Sequence, residues 1–234
     1  MKITEYSLKT EKKIRAKLTV AADVHGFGFD AVLTAIAASK PDVILIPGDL
    51  TNRKNGVDCS PDFLSEAAKI APTFYSIGNH ERKCGVDKTA IGESGAVLLD
   101  DAYYELDGLV IGGLSSGFSA SGQSSFKGTP PPDVSWLAEF CGRRGYRILM
   151  SHHPEYYPAY LKDLDCDLIV SGHAHGGQWR FFGQGVFAPG QGIFPKYTSG
   201  IYDGKLIVSR GLCNHTSVPR IFNPTELINI NVNI

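Results

Sequence analysis

The sequence predicts an α/β sandwich. Two observations carry that reading. Six apolar runs of strand length, AKLTVAA, DVILIP, TFYSIG, LVIGGL, YRILMS and DLIVSG, are rich in Val, Ile and Leu and do not alternate cleanly with polar residues. That pattern suits strands buried on both faces. Helical candidates lie between many of them, and strands alternating with helices imply a layered α/β domain.

The elements come in order along the chain. After AKLTVAA, the segment Asp30 to Lys40 (DAVLTAIAASK) spaces its apolar residues for one helix face, and Pro41 stops it. DVILIP is followed by SPDFLSEAAKIA, with Ser60 as N-cap and Pro61 in the first turn. TFYSIG and LVIGGL are the next strands. The stretch SSGFSASGQSSFKGTPPP reads as a mobile surface loop. PPDVSWLAEFC and PEYYPAYLKD read as two further helices, the second weakened by Pro158. The C-terminal third changes character: it is dense in Gly, aromatics and turn dipeptides, and YDGKLIVSR reads as a hairpin closed by Asp203-Gly204. The second half of the sandwich is therefore expected to be more antiparallel. No internal repeat is evident.

The 234 residues are expected to form one domain, residues 1–234, with a sizeable core. Hydrophobic content of 43% and charged content of 20% are ordinary for a soluble globular protein. A formal net charge of -1 gives no basic excess, which argues against duplex nucleic acid as the main partner. The longest apolar runs are too short to span a bilayer, so no transmembrane segment is expected. The opening MKITEYSLKTEKKIRAK has no apolar core of a signal peptide. Five scattered cysteines, Cys59, Cys84, Cys141, Cys166 and Cys213, form no CxxC and read as reduced thiols of a cytoplasmic protein. Oligomeric state is not legible.

The informative feature is the set of polar residues placed just after the apolar runs. Asp23 and His25 come after the first, Asp49 after the second, and Asn79, His80 and Glu81 after the third. His152 and His153 come after YRILMS, and His173 and His175 after DLIVSG. Six of the seven histidines lie in these segments, and only His215 is outside. Ligands of open α/β sheets bind beyond the carboxyl ends of strands, and parallel neighbours would bring these ends to one edge. Imidazole and carboxylate together suit zinc, iron or manganese rather than calcium. No cysteine sits among them, which argues against a closed structural zinc site. The candidates are too many for one ion. A set this size fits two ions about 3.5–4 Å apart, the arrangement that clamps the attacking and leaving oxygens of a phosphoryl displacement.

The motifs DVH, GDLTNR, GNHE, SHHP and GHAH, in this order and each after a strand, resemble those of the calcineurin-like metallophosphoesterases. The resemblance covers roughly Leu18 to Ile230. It implies a four-layer α-β-β-α sandwich, two mixed sheets flanked by helices, with the metal site at the C-terminal ends of strands. GHAHGGQW followed by FPKYTSGIY further resembles a bacterial subgroup of membrane-associated phosphodiesterases and UDP-diacylglucosamine pyrophosphatases. Ala174 stands where the family often has threonine, and GGLSSG where relatives often carry acidic residues.

Carried over by motif, the resemblance implies that Asp23, His25 and His175 hold one ion and Asn79, His152 and His173 a second, with Asp49 shared between them. The ions would be divalent or trivalent manganese, iron or zinc. His80 would lie beside the phosphate and protonate the leaving oxygen, oriented by Glu81. Arg53 matches a position that contacts phosphate or makes a structural ion pair. Gly48, Gly78 and Gly172 are expected to let the chain turn sharply into each ligand. His153 reads as a substrate-side or packing residue, His215 as structural, and Gln178 and Trp179 as packing residues or supports behind the ligands rather than catalytic groups. The expected substrate is a small phosphomonoester or phosphodiester, with a lipid-linked ester and a membrane-peripheral location left open. The alternatives are a nuclease or cyclic-nucleotide phosphodiesterase, and a non-catalytic metal-binding scaffold.

Overall fold

The structure is a computed structural model that describes residues 1–51, 60–120, 128–214 and 217–234. In chain order, β1 (Lys2–Leu8), β2 (Ala16–Val20), β3 (Val43–Pro47), β4 (Thr73–Ser76) and β5 (Val97–Leu99) enter one sheet. Then β6 (Ala102–Leu106), β7 (Leu109–Leu114), β8 (Tyr146–Ser151) and β9 (Leu168–Ser171) enter a second. Two short hairpins come next, β10 (Arg180–Phe181) with β11 (Gln184–Gly185), and β12 (Phe187–Ala188) with β13 (Gly192–Ile193). The strands β14 (Gly200–Tyr202) and β15 (Leu206–Val208) complete the second sheet, and β16 (Glu226–Val232) returns to the first. The sheet orders are β1-β16-β2-β3-β4-β5 and β14-β15-β9-β8-β7-β6.

The missing alternation in the apolar runs has a simple cause. Leu18, Val20, Val43, Leu45, Ile111, Ile148, Met150, Leu168 and Val170 meet in one core between the sheets. Their neighbours on the same strands face outward into other cores. Ile44 and Ile46 pack under the helices α1 (Phe29–Ser39) and α2 (Ser60–Ile70), with Phe63 and Leu64. Val110, Leu149 and Ile169 pack on the opposite side under α5 (Leu137–Gly142), with Leu137 and Phe140. Each strand serves two cores, so both faces must be apolar. The layers are helix, sheet, sheet, helix, as expected. Two short helices, α3 (Asn79–Cys84) and α4 (Lys88–Glu93), lie between β4 and β5.

The second half is the more antiparallel, as expected, through β6-β7, β14-β15 and the two short hairpins, although its sheet is parallel at its centre, β15-β9-β8-β7. Two expectations need correction. PEYYPAYLKD does not form an α-helix; it closes a single wide turn over Tyr157–Leu161, consistent with Pro158 lacking a backbone donor. The first residues of the Ser-rich stretch are not a surface loop: Ser115, Ser116 and Phe118 are buried. The Asp203-Gly204 hairpin forms as expected, both residues taking positive φ (52° and 65°).

Candidate metal centre

Within each sheet, β2, β3 and β4, and likewise β8 and β9, are parallel neighbours. Their C-terminal ends therefore deliver side chains to one edge. Two clusters form there. Asp23, His25 and His175 place one ligand-type atom each within 4.8 Å of one another, as do Asp49, His152 and His173. Asp49 joins them. Its Oδ2 lies 3.7 Å from His25 Nε2 on one side and 3.1 Å from His152 Nε2 on the other. His80 Nε2 approaches the same oxygen at 3.9 Å, and its side chain is 23% exposed where those of His25 and His152 are fully buried.

The backbone at these positions is strained. Asp23, His25, Asp49, His173 and His175 all have φ between 45° and 63°. Only glycine visits this region freely; for other residues it costs roughly 1–2 kcal/mol each. Such outliers persist where surrounding structure over-determines them, and they gather at functional sites.

Glu81 supplies part of that over-determination. Its carboxylate accepts from Asp49 N and Gly78 N, both at 2.8 Å, and from Thr51 N at 3.0 Å. It thus ties the loop after β3 to the loop after β4, and also closes the first turn of α3 in the manner of a capping box. Asp49 Oδ1 in turn accepts from His80 N at 2.9 Å. The motif alone gives Glu81 only the task of orienting His80; these bonds add that of a brace for the Asp49 loop. The glycines need a similar revision. Gly48 does turn the chain, with φ of 86°. Gly78 is extended (φ −90°, ψ −173°), and its contribution is space: a Cβ there would sit 2.3 Å from Asp49 Oδ1. Gly172 likewise leaves room for Asp23 Oδ2.

The donor set fits a cation. His152 Nδ1 lies 2.8 Å from the Pro47 carbonyl, which can only accept, so Nδ1 carries the proton. Its Nε2 then faces Asn79 Oδ1 at 3.2 Å and Asp49 Oδ2 at 3.1 Å. Three acceptors converging at this distance require a proton or a metal ion between them. Among the described residues, the buried His173 Nε2, in the same cluster, has no hydrogen-bond partner. At the first cluster, Arg220 Nη2 lies 3.1 Å from His175 Nδ1. Burial and that guanidinium push the His175 pKa down to about 3, so the ring is neutral, as a metal ligand must be.

The electrostatics set a pH dependence for metal uptake. Burial, with the nearby charge of Asp49, raises the Asp23 pKa to about 7. Burial alone would lower the His152 pKa, but Asp49 outweighs it and holds that proton up to about 10. Burial raises the Asp49 carboxyl, but His152, His80 and His25 outweigh it and hold it well below the usual range. An ion must displace protons from Asp23 below pH about 7 and from His152 below about 10. Affinity for Mn²⁺ is therefore expected to rise between pH about 6 and about 9, with proton release on binding. Calorimetry in buffers of different ionisation enthalpy measures that release; pH-independent uptake without it would contradict this assignment.

All the expected ligands, Asp23, His25, Asp49, Asn79, His152, His173 and His175, lie at this edge, with His80 beside Asp49. Arg53 and His215 lie outside the described residues. Of the two readings of His153, the geometry favours a place at the site over plain packing. With the part-buried Glu155 and the buried His173 it forms a further cluster of ligand-type atoms, while Ser116 Oγ lies 2.8 Å from its Nε2. Sequence reasoning missed Glu155, Ser116 and Arg220. Only Glu155 left a signal, standing two residues after His153. Gln178 and Trp179 bind the C-terminal segment, Gln178 Nε2 donating to Asn214 Oδ1 (3.0 Å) and Trp179 Nε1 to Pro219 O (2.9 Å).

Comparison with known proteins agrees with this geometry. The family model for calcineurin-like phosphoesterases matches residues 16–177, more than half of the chain. An uncharacterized metallophosphoesterase of Campylobacter jejuni is 29% identical, over 97% of this chain and 60% of its own length. The Escherichia coli K12 phosphodiesterase YaeI is 31% identical, over 70% of this chain and 62% of its own. An uncharacterized metallophosphoesterase of Aquifex aeolicus is 26% identical over 99% of this chain and 92% of its own length. The chain thus spans about 60% of the first two relatives. Clustered ligands at the strand ends and a matching family model lead to one conclusion: the chain belongs to the calcineurin-like metallophosphoesterase family.

Proposed function

We propose that residues 1–234 act as one unit that hydrolyses a phosphate ester with two metal ions. The observation that carries this reading is the position of Asp49, whose one oxygen stands within reach of both histidine clusters. A carboxylate has the lone pairs to touch two cations. Asp23, His25 and His175 would hold one ion, and Asn79, His152 and His173 the other. Manganese, iron and zinc all suit such ligands. When bound, the ions supply a water acidic enough to attack at neutral pH and charge to steady the phosphoryl group. His80, the more exposed imidazole beside Asp49, is the group placed to donate a proton to the leaving oxygen. Glu81 holds the loop that presents Asp49, and Arg53 is assigned to the phosphate by its motif alone.

The E. coli relative is named a phosphodiesterase, which favours a diester as the substrate. The test is hydrolysis of bis(p-nitrophenyl) phosphate and p-nitrophenyl phosphate by protein loaded with Mn²⁺, Fe²⁺ or Zn²⁺. Metal-dependent turnover of the diester, faster than that of the monoester, is expected. Protein carrying two equivalents of metal by elemental analysis, yet inert on both esters, would mark it as a metal-binding scaffold. Among the described residues no helix is long and apolar enough to cross a membrane.

A further inference from the structure

Glu155 stands at the same edge with no task given by any motif. Its Oε1 lies 3.3 Å from His153 Nδ1 and 3.7 Å from His173 Nε2. Its side chain is 12% exposed, while that of His153 is fully buried and that of His173 nearly so. Among the described residues, three polar atoms of this one cluster are buried without a hydrogen-bond partner: His153 Nδ1, His173 Nε2 and Glu155 Oε2. A buried polar group left unpaired costs about 1–3 kcal/mol. Three of them in one place call for a common explanation.

A third cation is one explanation, since the three side chains bring ligand-type atoms together. The chemistry of imidazole argues against it. A neutral ring has one lone pair and one N–H. On the two-ion reading, His173 gives its lone pair to the ion it shares with Asn79 and His152, so its other nitrogen carries a proton. His153 and Glu155 are then only two ligands, short of the roughly four that such ions take. Two N–H groups and a carboxylate satisfy one another with no ion between them. His153 fits that scheme. Ser116 Oγ, 2.8 Å from Nε2, accepts from Phe118 N at 3.3 Å and has its own proton to donate to Nε2, which leaves the His153 proton on Nδ1, the nitrogen facing Glu155. Glu155 is itself held in place. Thr129 Oγ1 donates to its Oε1, and a Cβ at Gly190 would collide with the carboxylate. The two N···O separations exceed a hydrogen bond of about 2.7–3.2 Å. The carboxylate torsion is soft enough to close them, and the unpartnered Oε2 is a second acceptor.

We propose that Glu155 is a positioning residue of the metal centre: it accepts the Nε2–H of His173 and the Nδ1–H of His153, and so turns His173 Nδ1 toward its ion. The metal-binding test rests on the two-ion reading; the ring-nitrogen test does not. Carboxylates that hold ligating imidazoles in this way fix tautomer and ring orientation, and their removal weakens metal affinity about 10–100-fold. Calorimetric titration with Mn²⁺ is expected to show two equivalents in the wild type. In Glu155→Ala one of them should weaken about 10–100-fold and the other stay unchanged. Glu155→Gln keeps an acceptor oxygen and the volume of the side chain, and should lose less. Tyr156→Phe is the control for loosened loops. It removes the bonds to Pro130 O (2.7 Å) and from Gly117 N (3.0 Å) without touching the carboxylate, and both equivalents should stay as in the wild type. A second readout needs no metal. Ring-nitrogen spectra of metal-free protein, isotope-labelled in histidine, should show the His173 proton on Nε2 in the wild type and in Glu155→Gln, and divided between the two nitrogens in Glu155→Ala.

A bare His173 Nε2 in the wild type overturns the assignment, as does a Glu155→Ala protein that keeps both equivalents at wild-type affinity. Equal weakening in Tyr156→Phe also overturns it, because the effect would then be loss of loop order. A third equivalent of Mn²⁺ that Glu155→Ala loses would put a cation where the two N–H groups are assigned, and the assignment falls again. Fewer than two equivalents in the wild type removes the two-ion reading instead. The ring spectra then decide the role of Glu155 alone: a proton on His173 Nε2 that depends on Glu155 supports its hold on the ring, and a bare nitrogen ends it.

Discussion

Replacing Asp49 by Asn is expected to cut turnover of bis(p-nitrophenyl) phosphate by at least about a thousandfold and to lower the metal content of purified protein. Asp49 Oδ2 stands 3.1 Å from His152 Nε2 and 3.7 Å from His25 Nε2, and the residue is 1% exposed. The amide keeps the shape but loses the charge, and it turns either its oxygen or its NH₂ away from a cluster. Metal ions contribute several kcal/mol of charge stabilisation to such reactions, and each factor of ten is about 1.36 kcal/mol. On the two-ion proposal, weaker metal affinity and altered placement of the ions would act together. Steady-state kinetics with elemental analysis checks both. Activity within about tenfold of wild type at full metal loading would contradict the shared-ligand role proposed for Asp49.

The second large effect is on stability. Glu81→Ala is expected to lower the melting temperature by roughly 10–20 °C. The buried carboxylate accepts the backbone N–H groups of Asp49, Thr51 and Gly78. Its removal strands three buried donors at about 1–3 kcal/mol each. For a chain of this size each kcal/mol shifts the melting temperature by about 2–4 °C. Burial and the charge of Asp49 raise the Glu81 pKa, and the hydrogen bond from Thr51 opposes that shift. Glu81→Gln keeps one acceptor oxygen and should lose less. Calorimetric scans of the metal-free variants measure this without interference from ligand binding; a drop below about 3 °C for Glu81→Ala would refute the brace.

The strands and the candidate ligands at their ends were legible in sequence for the same reason. A strand that serves two cores cannot hide its apolar character, and a polar residue at its end stands out against it. AKLTVAA, DVILIP, TFYSIG, LVIGGL, YRILMS and DLIVSG all became strands, and each expected ligand came to the shared edge. Less legible were features that depend on distant partners. β16 (ELININV) contains Glu226 and two asparagines, which disguise it as a surface segment. Both Glu226 and Asn229 are buried, satisfied by Arg210 and Thr19 respectively. β1 carries mixed polarity because it is an edge strand. Phe118 and Ser116 lie in a stretch whose composition is that of a loop, yet Phe118 packs on His153 at 5.5 Å. Sequence alone casts glycine as a turn former, whereas Gly78 and Gly172 are small because carboxylates need the space.

The position of β16 has a consequence for how the chain reaches this state. The strand latest in sequence lies between the two earliest, pairing in parallel with β1 from Lys2↔Glu226 to Leu8↔Val232 and antiparallel with β2. During synthesis β1 and β2 emerge before β16 but cannot adjoin, because a gap one strand wide must be kept for a segment not yet made. Such non-local closure is slow and leaves strand edges exposed. The loop ahead of β16 also carries Arg220 and Asn223, which hold His175 in place. Assembly of the candidate metal-binding edge is therefore completed only after β16 has been made and has paired.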